Sequence, residues 1–403
     1  MRKPAAVELL APAGDREKLQ FAVAYGADAV YLSGRRFGMR AAAGNFDDEE
    51  LAQAVDYCHE RGVRVFVTVN VMPRPGDLPD LPRHIGAIAR AGADAVIVAD
   101  LGVLELVRKT APGLRIHVST QANVINEAAA CAWHRLGADR IVLARELSLR
   151  EIAHIRQCTP PELELEVFAH GSMCMAYSGR CVLSNYLAGR DANRGACAQP
   201  CRWNYRLVEE KRPGQYFPVI EGEEGTTLLS SEDLCMIEHL RELAEAGVGS
   251  LKLEGRAKTF YYAAVVTNAY RRALDAALRG SPPPPGAVRE LFKVSHREYS
   301  TGFYFGPAGQ QYRDGYTREW DVCAAVLDCA PNGRARLRQK NKCAPGEALE
   351  LLMPGRDALP FTLGPLWDEN GRPIAAAPHP MMLFETELPV CAPPFSILRK
   401  KIN

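Results

Sequence analysis

The fold of this chain is constrained most by a short phrase that recurs along its first 260 residues. Copies begin at Gly26 (GADAVYL), Gly92 (GADAVIV) and Gly137 (GADRIVL), and a weaker copy begins at Gly247 (GVGSLKL). Each copy follows a helical pattern and opens an apolar run of strand length. Apolar strands that alternate with amphipathic helices are typical of a parallel sheet covered by helices.

Eight such strands can be counted, which predicts an α/β fold of the (β/α)8 TIM-barrel type. The predicted strands are Glu8–Ala13, Ala29–Gly34, Val65–Asn70, Ala95–Asp100, Ile116–Gln121, Arg140–Arg145, Leu165–His170 and Ser250–Gly255. The segment between the seventh and eighth strands is longer than one helix. It holds a cysteine-rich insertion, a predicted β excursion at Tyr205–Leu229 and a predicted helix at Asp233–Ala246.

The proline-rich stretch Gly280–Gly286 predicts a stiff boundary after the barrel. Residues 1–280 then form the barrel, which we expect to be the catalytic domain, with its cysteine loop at 170–235. Residues 281–318 form a linker and connecting segment. Residues 319–403 show short alternating runs with Pro and Gly turns, which predict a small C-terminal β-barrel-like domain.

Composition excludes several classes of protein. The formal net charge is +1, with 24% charged residues, so any basic surface must be local. No stretch has the length and apolarity of a signal peptide or a membrane span, and we therefore expect a cytoplasmic protein. In that compartment the 12 cysteines are expected to be reduced, metal-binding or buried.

Polar residues follow the predicted strands, at the end of a barrel where active sites lie. They are Asn70, Asp100, Gln121, Asn123, Arg145, Glu146, His170, Glu254 and Arg256. Residues in such positions also cap the helices that follow, so each one alone has a structural alternative. As a set they predict a binding mouth, over which the cysteine loop would hang.

Four cysteines in the loop, Cys174, Cys181, Cys197 and Cys201, are spaced C-x6-C, x15, C-x3-C. An iron–sulfur cluster tolerates this spacing, whereas a structural zinc site usually has C-x2-C pairs. A third interpretation is a nucleophilic Cys174 activated by His170, and a fourth is a set of buried thiols. Cys235 is a reserve candidate for the fourth ligand.

The segment from Glu166 to Ser184 resembles the signature of the peptidase U32 family, in the form E-x-F-x-x-G-S-M-C-x4-G-x-C-x-L-S. The resemblance extends over most of the chain. Further matching stretches are 8–14, 25–31, 119–123, 145–148, 190–195, 201–203 and 252–256. Within the family, the chain looks most like the bacterial tRNA hydroxylation proteins.

That resemblance implies an RNA hydroxylase that converts the wobble uridine of tRNA to 5-hydroxyuridine without molecular oxygen. It implies a 4Fe-4S cluster on Cys174, Cys181, Cys197 and Cys201, and prephenate as the hydroxyl source and co-substrate. A paralogous family member is a further expected partner. Other members act on ribosomal RNA or a quinone precursor, and some carry a collagenase or protease label. Hydroxylation of another substrate and a Cys174–His170 peptidase therefore remain alternatives.

Roles for the remaining candidates follow from their chemistry. Gln121 and Asn123 can pair with a uracil edge, while Arg145, Lys252 and Arg256 can hold a dicarboxylate. His170 and Glu254 complete the predicted catalytic set. A basic stripe at every second position of one predicted strand would bind RNA phosphates, with a solvated surface as its alternative. The stripe comprises Arg334, Arg336, Arg338, Lys340 and Lys342, with a possible extension at 399–401.

Overall fold

The computed structural model describes residues 7–40, 44–174, 176–177, 179–203, 220–222, 225–227, 231–306, 308 and 316–402. The first elements alternate between strand and helix. They are β1 (Glu8–Pro12), α1 (Arg16–Ala24), β2 (Ala29–Ser33), α2 (Asp48–His59), β3 (Arg64–Val69), α3 (Leu81–Arg90), β4 (Ala95–Val98), α4 (Leu101–Thr110), β5 (Arg115–Val118), α5 (Glu127–Arg135), β6 (Arg140–Val142), α6 (Leu149–Cys158) and β7 (Glu164–Ser172).

The chain then crosses the cysteine loop, completes the barrel and leaves it. The elements are α7 (Leu183–Ala188), β8 (Ile220–Gly222), β9 (Gly225–Thr227), β10 (Asp233–Cys235), α8 (Leu240–Glu245), β11 (Ser250–Leu253), α9 (Phe260–Leu278), α10 (Pro285–Glu290) and β12 (Tyr299–Ser300). Strands β1 to β7 pair in sequence, and β11 pairs with both β7 and β1 in parallel. This closure confirms the predicted (β/α)8 barrel and all eight of its strands.

The aspartates of the repeated phrase explain why the phrase recurs. Asp28 accepts a hydrogen bond from the backbone N–H of Leu9 at 2.8 Å. Asp94 does the same for Val65 at 2.7 Å, and Asp139 for a residue of β5 at 2.8 Å. Each carboxylate therefore ties the start of one strand to the turn before the next strand. These three copies of the phrase therefore contain both an apolar strand and an aspartate that fixes the register of that strand against the preceding one.

The predicted helix at Asp233–Ala246 is partly wrong. Residues Asp233–Cys235 form β10, which runs antiparallel to the end of β7 and places Cys235 opposite His170. Strand β7 extends beyond the barrel and offers an edge there, and the buried Asp233 carboxylate is fixed by Arg297 at 2.7 Å. The helix begins only at Leu240. Of the predicted β excursion, β8 and β9 are seen, and the remainder lies outside the described residues.

The C-terminal part is an antiparallel sheet of eight strands with its own apolar core, which confirms the predicted β-barrel-like domain. Its strands are β13 (Trp320–Cys329), β14 (Arg334–Gln339), β15 (Ala348–Leu352), β16 (Leu359–Thr362), β17 (Leu366–Trp367), β18 (Pro373–Ile374), β19 (Leu383–Glu387) and β20 (Ile397–Lys401). Within the described ranges, no helix has both the length and the apolarity needed to cross a bilayer.

Candidate functional site

The cysteine loop folds back over the carboxyl ends of the barrel strands and encloses a cavity of about 80 Å³. Cys174, Cys181, Cys197 and Cys201 all line this cavity, and all are free thiols. We call it the thiol cavity. Its floor comes from the barrel itself, through Gln121 and Arg145, among others. The four cysteines predicted to act together are thus brought to one place.

Contacts with two barrel loops, the one after β3 and the one after β5, hold the cysteine loop down. The Met72 N–H donates to the carbonyl of Asn193 at 3.1 Å, and Arg194 forms a 2.6 Å ion pair with Asp77. Gly179 lies directly on the backbone carbonyl of Gln121, where an added Cβ would come within 2.3 Å of the oxygen. The thiol cavity therefore has a fixed position relative to the barrel mouth.

The donor set of this cavity has the chemistry that an iron–sulfur cluster needs. In the part of the chain that the structure describes, no three His, Cys, Asp or Glu side chains converge as one metal ion requires. Thiolates that surround a cavity suit a cluster, because its ligands bind separate irons. Burial raises the pKa of the Cys201 thiol, and the nearby Cys174, Cys197 and Cys181 raise it further. Arg202 opposes this shift. A bound cluster would favour the thiolate forms, because ligation requires and stabilises the deprotonated sulfur.

A second cavity lies deeper, inside the barrel mouth. Met39, Arg40, Gln121 and Arg145 line both cavities, so the two are neighbours. The other residues around the mouth include Tyr31, Thr68, Asn70, Ser119, Phe168, Lys252, Glu254 and Arg256. Several of the predicted strand-end residues therefore surround one cavity at the barrel mouth, and the thiol cavity forms its outer chamber.

The mouth cavity is cationic. Arg40, Arg145, Lys252 and Arg256 line it together with one carboxylate, Glu254. Burial acts to raise the pKa of Glu254, but Arg40 and the other three cations hold it below its ordinary value. Burial lowers the pKa of Arg256 to about 10, so its guanidinium stays charged at neutral pH. Such a lining favours an anionic ligand.

Several of these cations are already held in place. Lys252 donates to Glu166 at 2.9 Å, and Arg256 donates to the Thr68 hydroxyl at 3.2 Å. Arg145 donates to the carbonyl of Ser172 at 2.8 Å and reaches the Cys174 sulfur at 3.8 Å. Arg145 is thus the side chain that physically connects the mouth with a cysteine of the outer chamber.

Sequence reasoning missed Arg40. It follows β2 in a loop without a recognisable motif, and its guanidinium lies 3.4 Å from Glu254. Glu254, Cys174 and Cys197 all act on its charge and raise its pKa. The rule that barrel sites form at the carboxyl ends of strands could have found it, since β2 ends only seven residues earlier.

His170 does not occupy the position predicted for it. Its side chain is buried beneath the cysteine loop, and neither cavity is lined by it. Its Nδ1 lies 3.2 Å from the Tyr270 hydroxyl, and its Nε2 has no hydrogen-bond partner among the described residues. Burial lowers the pKa of His170 to about 3. The Cys174–His170 pair required by the peptidase alternative is not formed, because β7 turns the ring inward.

Two other strand-end candidates, and the reserve ligand Cys235, also lie away from the cavities. Asn123 lines neither cavity, and its Oδ1 is buried without a partner in the described chain. Asp100 caps α4 by accepting from the Val103 N–H, as the structural alternative supposed. Cys235 is packed against the Tyr270 hydroxyl at 3.7 Å, outside the thiol cavity. Its position on β10 explains why the reserve ligand is separated from the other four cysteines.

The basic stripe is only partly formed. Arg334, Arg336 and Arg338 share the outer face of β14, but Arg334 pairs with Glu385 and Arg336 with Asp328. The strand ends at Gln339, so Lys340 leaves the face and pairs with Glu17 of α1. Lys342 lies beyond it and is exposed.

The proposed extension of the stripe at 399–401 is wrong at its first residue. The Arg399 guanidinium is fully buried between the carboxylates of Glu290 and Glu350. It lies inside the junction of barrel and sheet, where no phosphate can reach it.

Fold and site together define a (β/α)8-barrel protein with a thiol-lined chamber over a cationic mouth. The model for Peptidase family U32 matches residues 14–314, and that for the Peptidase family U32 C-terminal domain matches residues 318–399. The chain belongs to peptidase family U32.

Named relatives are similar to this chain over most of its length. The tRNA hydroxylation protein P1 of Bacillus subtilis is 36% identical, covering 98% of this chain and 94% of its own. The tRNA hydroxylation protein P of Escherichia coli is 35% identical, covering 92% and 91%. The 23S rRNA 5-hydroxycytidine synthase of Escherichia coli is 39% identical over 68% of this chain and 40% of its own length.

Proposed function

We propose that this protein is an RNA hydroxylase that converts the wobble uridine of tRNA to 5-hydroxyuridine. The observation that carries the proposal is the pair of adjoining cavities, one lined by four thiols and one by cations. Relatives that span nearly the whole chain bear the name tRNA hydroxylation protein, and a further relative is named for hydroxylation of ribosomal RNA. The first name specifies hydroxylation of tRNA, and the second specifies a hydroxyl at position 5 of a pyrimidine.

The cationic mouth supports a dicarboxylate co-substrate such as prephenate. Replacing the C5 hydrogen of uracil by a hydroxyl is a two-electron oxidation of the base. Without molecular oxygen, we propose that the co-substrate gives its hydroxyl to C5 and takes up the displaced hydrogen, so that it is reduced by the two electrons that the base loses. In our proposal Arg256 and Arg40 bind its carboxylates, because a guanidinium matches a carboxylate with two parallel N–H donors. Lys252, held by Glu166, adds positive charge from the barrel interior. Glu254 keeps Arg40 directed into the mouth.

The base would be placed between the two chambers. Gln121 lines both cavities, and its side-chain amide can both donate to and accept from a uracil edge. Modification of a base that is normally stacked requires that it be splayed out of its strand into a pocket. Such a base would lie at the wall that the two cavities share, which is formed by Met39, Arg40, Gln121 and Arg145. There it would contact both the co-substrate in the mouth and the thiols of the outer chamber.

Cys174, Cys181, Cys197 and Cys201 would hold a 4Fe-4S cluster in the outer chamber. When bound there, the cluster supplies redox or Lewis-acid chemistry next to the base. Arg145 lies against Cys174 and would donate a hydrogen bond to its ligating sulfur, which stabilises the thiolate. The cysteine loop covers this chamber and limits access of water to it.

The test is to replace Cys181 with Ala and to measure two quantities in parallel. Iron and sulfide are determined on protein purified without oxygen, and 5-hydroxyuridine is measured by mass spectrometry in tRNA from cells that lack the chromosomal copy. We expect the variant to lose both. Cys158→Ala is the matched control, since Cys158 is an exposed thiol at the end of α6, outside the thiol cavity.

Full iron in the Cys181→Ala protein would overturn the ligand assignment. Unchanged 5-hydroxyuridine in cells without any copy of the protein would overturn the function. The variant Cys235→Ala distinguishes the ligand set that contains Cys201 from the one that contains Cys235. Cys235 lies on β10 opposite His170, outside the thiol cavity. We expect it to retain iron.

A further inference from the structure

The outer face of the cysteine loop differs from the rest of the surface. Of the fifteen large apolar side chains that are exposed in the described chain, five lie between residues 177 and 203. They are Tyr177, Val182, Tyr186, Leu187 and Trp203. Tyr186 has 87% of its surface exposed, which is the highest value among the fifteen. Apolar groups concentrated in this way mark an interaction surface.

This face is also positively charged. Residues 174–203 contain four arginines and a single acidic residue, Asp191. Arg194 is used to anchor the loop through Asp77. Arg180 and Arg190 are exposed, and neither is paired with a carboxylate of the described chain. The arginines of β14 differ in this respect, since Arg334 and Arg336 are neutralised by Glu385 and Asp328.

The outer face of the cysteine loop lies directly beside the face that lines the thiol cavity. Cys181 and Leu183 line the thiol cavity, while Val182 between them is exposed. Tyr177 belongs to both faces, because it lines the cavity and still exposes 56% of its surface. The helix α7, which carries Tyr186, packs against the 3-10 turns Ala192–Arg194 and Pro200–Arg202. Tyr186 is therefore carried by a packed helix, and Tyr177 stands at the chamber itself, with Arg180 and Arg190 close to them in the sequence of the same loop.

We infer that this outer face is the docking surface for the single-stranded loop of the RNA substrate. This inference rests on the proposed function and adds the place where the RNA binds. Single-stranded RNA is bound by aromatic rings that stack on bases and by arginines that contact phosphates. The combination on this face is Tyr177 and Tyr186 with Arg180 and Arg190. A nucleotide splayed into the thiol cavity would leave its neighbours on these residues.

The experiment measures binding of a synthetic anticodon stem–loop RNA with uridine at the wobble position. Full-length protein is titrated by fluorescence anisotropy at several salt concentrations. We expect Tyr186→Ala to weaken binding by roughly 5- to 150-fold, the range for loss of one stacked base. Tyr186→Phe keeps the ring and should bind as the wild type does. Unchanged iron content and melting temperature confirm that the variants are folded.

Charge is tested separately with a matched pair of arginines. Arg180→Gln should reduce the slope of log K against log salt by roughly 0.7, the value for one contact with single-stranded nucleic acid. Arg338→Gln removes an arginine from the outer face of β14 and should leave the slope unchanged. The opposite pattern, with a loss only in Arg338→Gln, would place the RNA on the C-terminal sheet and overturn the inference.

Two further outcomes separate this inference from the proposed function. If Tyr186→Ala retains both RNA affinity and 5-hydroxyuridine formation, the docking surface is refuted while the function stands. If the wild type neither binds the stem–loop nor supports 5-hydroxyuridine, both are refuted. A variant that binds RNA normally but no longer co-sediments with a second family member would make this face a protein interface, which also refutes the inference.

Discussion

His170 and Arg145 both lie near the carboxyl ends of barrel strands, yet burial gives them different roles. The Arg145 guanidinium lines both cavities and reaches the Cys174 sulfur. The His170 ring is turned inward among Tyr262, Tyr270 and Tyr299. Because the pKa of His170 is lowered to about 3 by burial, the ring is neutral at physiological pH. It is a packing residue and a weak candidate for a general base.

The buried neutral state of His170 predicts a pH dependence of stability. In the unfolded chain a histidine takes up a proton below about pH 6.5, whereas the folded chain does not until about pH 3. The folded state therefore loses stability as the pH falls from 6.5 towards 3. Between pH 7 and pH 5 this one residue contributes a loss of about 2 kcal/mol.

We expect His170→Asn to remove that contribution. The variant is less stable at neutral pH because the packed ring is lost, but its free energy of unfolding falls less steeply between pH 7 and pH 5. Urea unfolding at a series of pH values measures the difference. His379→Asn alters an exposed histidine and should follow the wild-type curve. Parallel curves for His170→Asn and the wild type would show that His170 is protonated in the folded state.

At the scale of elements, the cysteine loop acts through close backbone contacts. Gly179 and Gly189 both adopt left-handed backbone angles, with φ of 73° and 62°. Gly179 lies on the carbonyl of Gln121, and a Cβ at Gly189 would meet no atom within 4 Å. Alanine at either position would therefore strain the backbone to a similar degree. Only at Gly179 would its Cβ also clash, with the carbonyl of Gln121.

We expect Gly179→Ala to lift the loop from the barrel mouth and to lower iron content and 5-hydroxyuridine formation strongly. Gly189→Ala should cost only the left-handed backbone penalty, about 1–2 kcal/mol. If the cluster is bound as proposed, its iron content should equal that of the wild type. Iron analysis and tRNA mass spectrometry on both variants measure the contrast. Equal effects in the two variants would show that strain, rather than the contact with Gln121, controls the loop.

Elements that are determined by nearby residues were predicted from the sequence, whereas those that depend on contacts between distant parts of the chain were not. Four of the barrel strands were predictable from the repeated phrase, which in three of its four copies carries an aspartate that fixes the strand register. The other four strands were predictable from their apolar runs between helical patterns. The helix at Asp233–Ala246 was wrong at its start because Asp233 is fixed by Arg297, which lies far along the chain. Arg40 was missed for the same reason, since Glu254 and the thiols give it a role only after folding.

In the whole molecule, barrel and C-terminal sheet are joined by buried polar contacts. The Tyr25 hydroxyl at the end of α1 donates to the carbonyls of Leu352 and Phe395. Arg399 of β20 bridges Glu290 of α10 and Glu350 of β15 with contacts of 2.6 Å. An alternating basic pattern cannot reveal such a junction, because a buried paired arginine and an exposed free one look alike in sequence.

The buried junction predicts that the two parts of the molecule unfold together. Arg399→Met removes the guanidinium and leaves Glu290 and Glu350 with Lys293 alone. Loss of one partner from a buried ion pair costs about 3–5 kcal/mol, so calorimetry should show a lower melting temperature and a split into two transitions. Lys401→Met, at an exposed position of the same strand, should change stability by less than about 1 kcal/mol. A single unshifted transition in Arg399→Met would mean that apolar packing alone couples the barrel to the sheet.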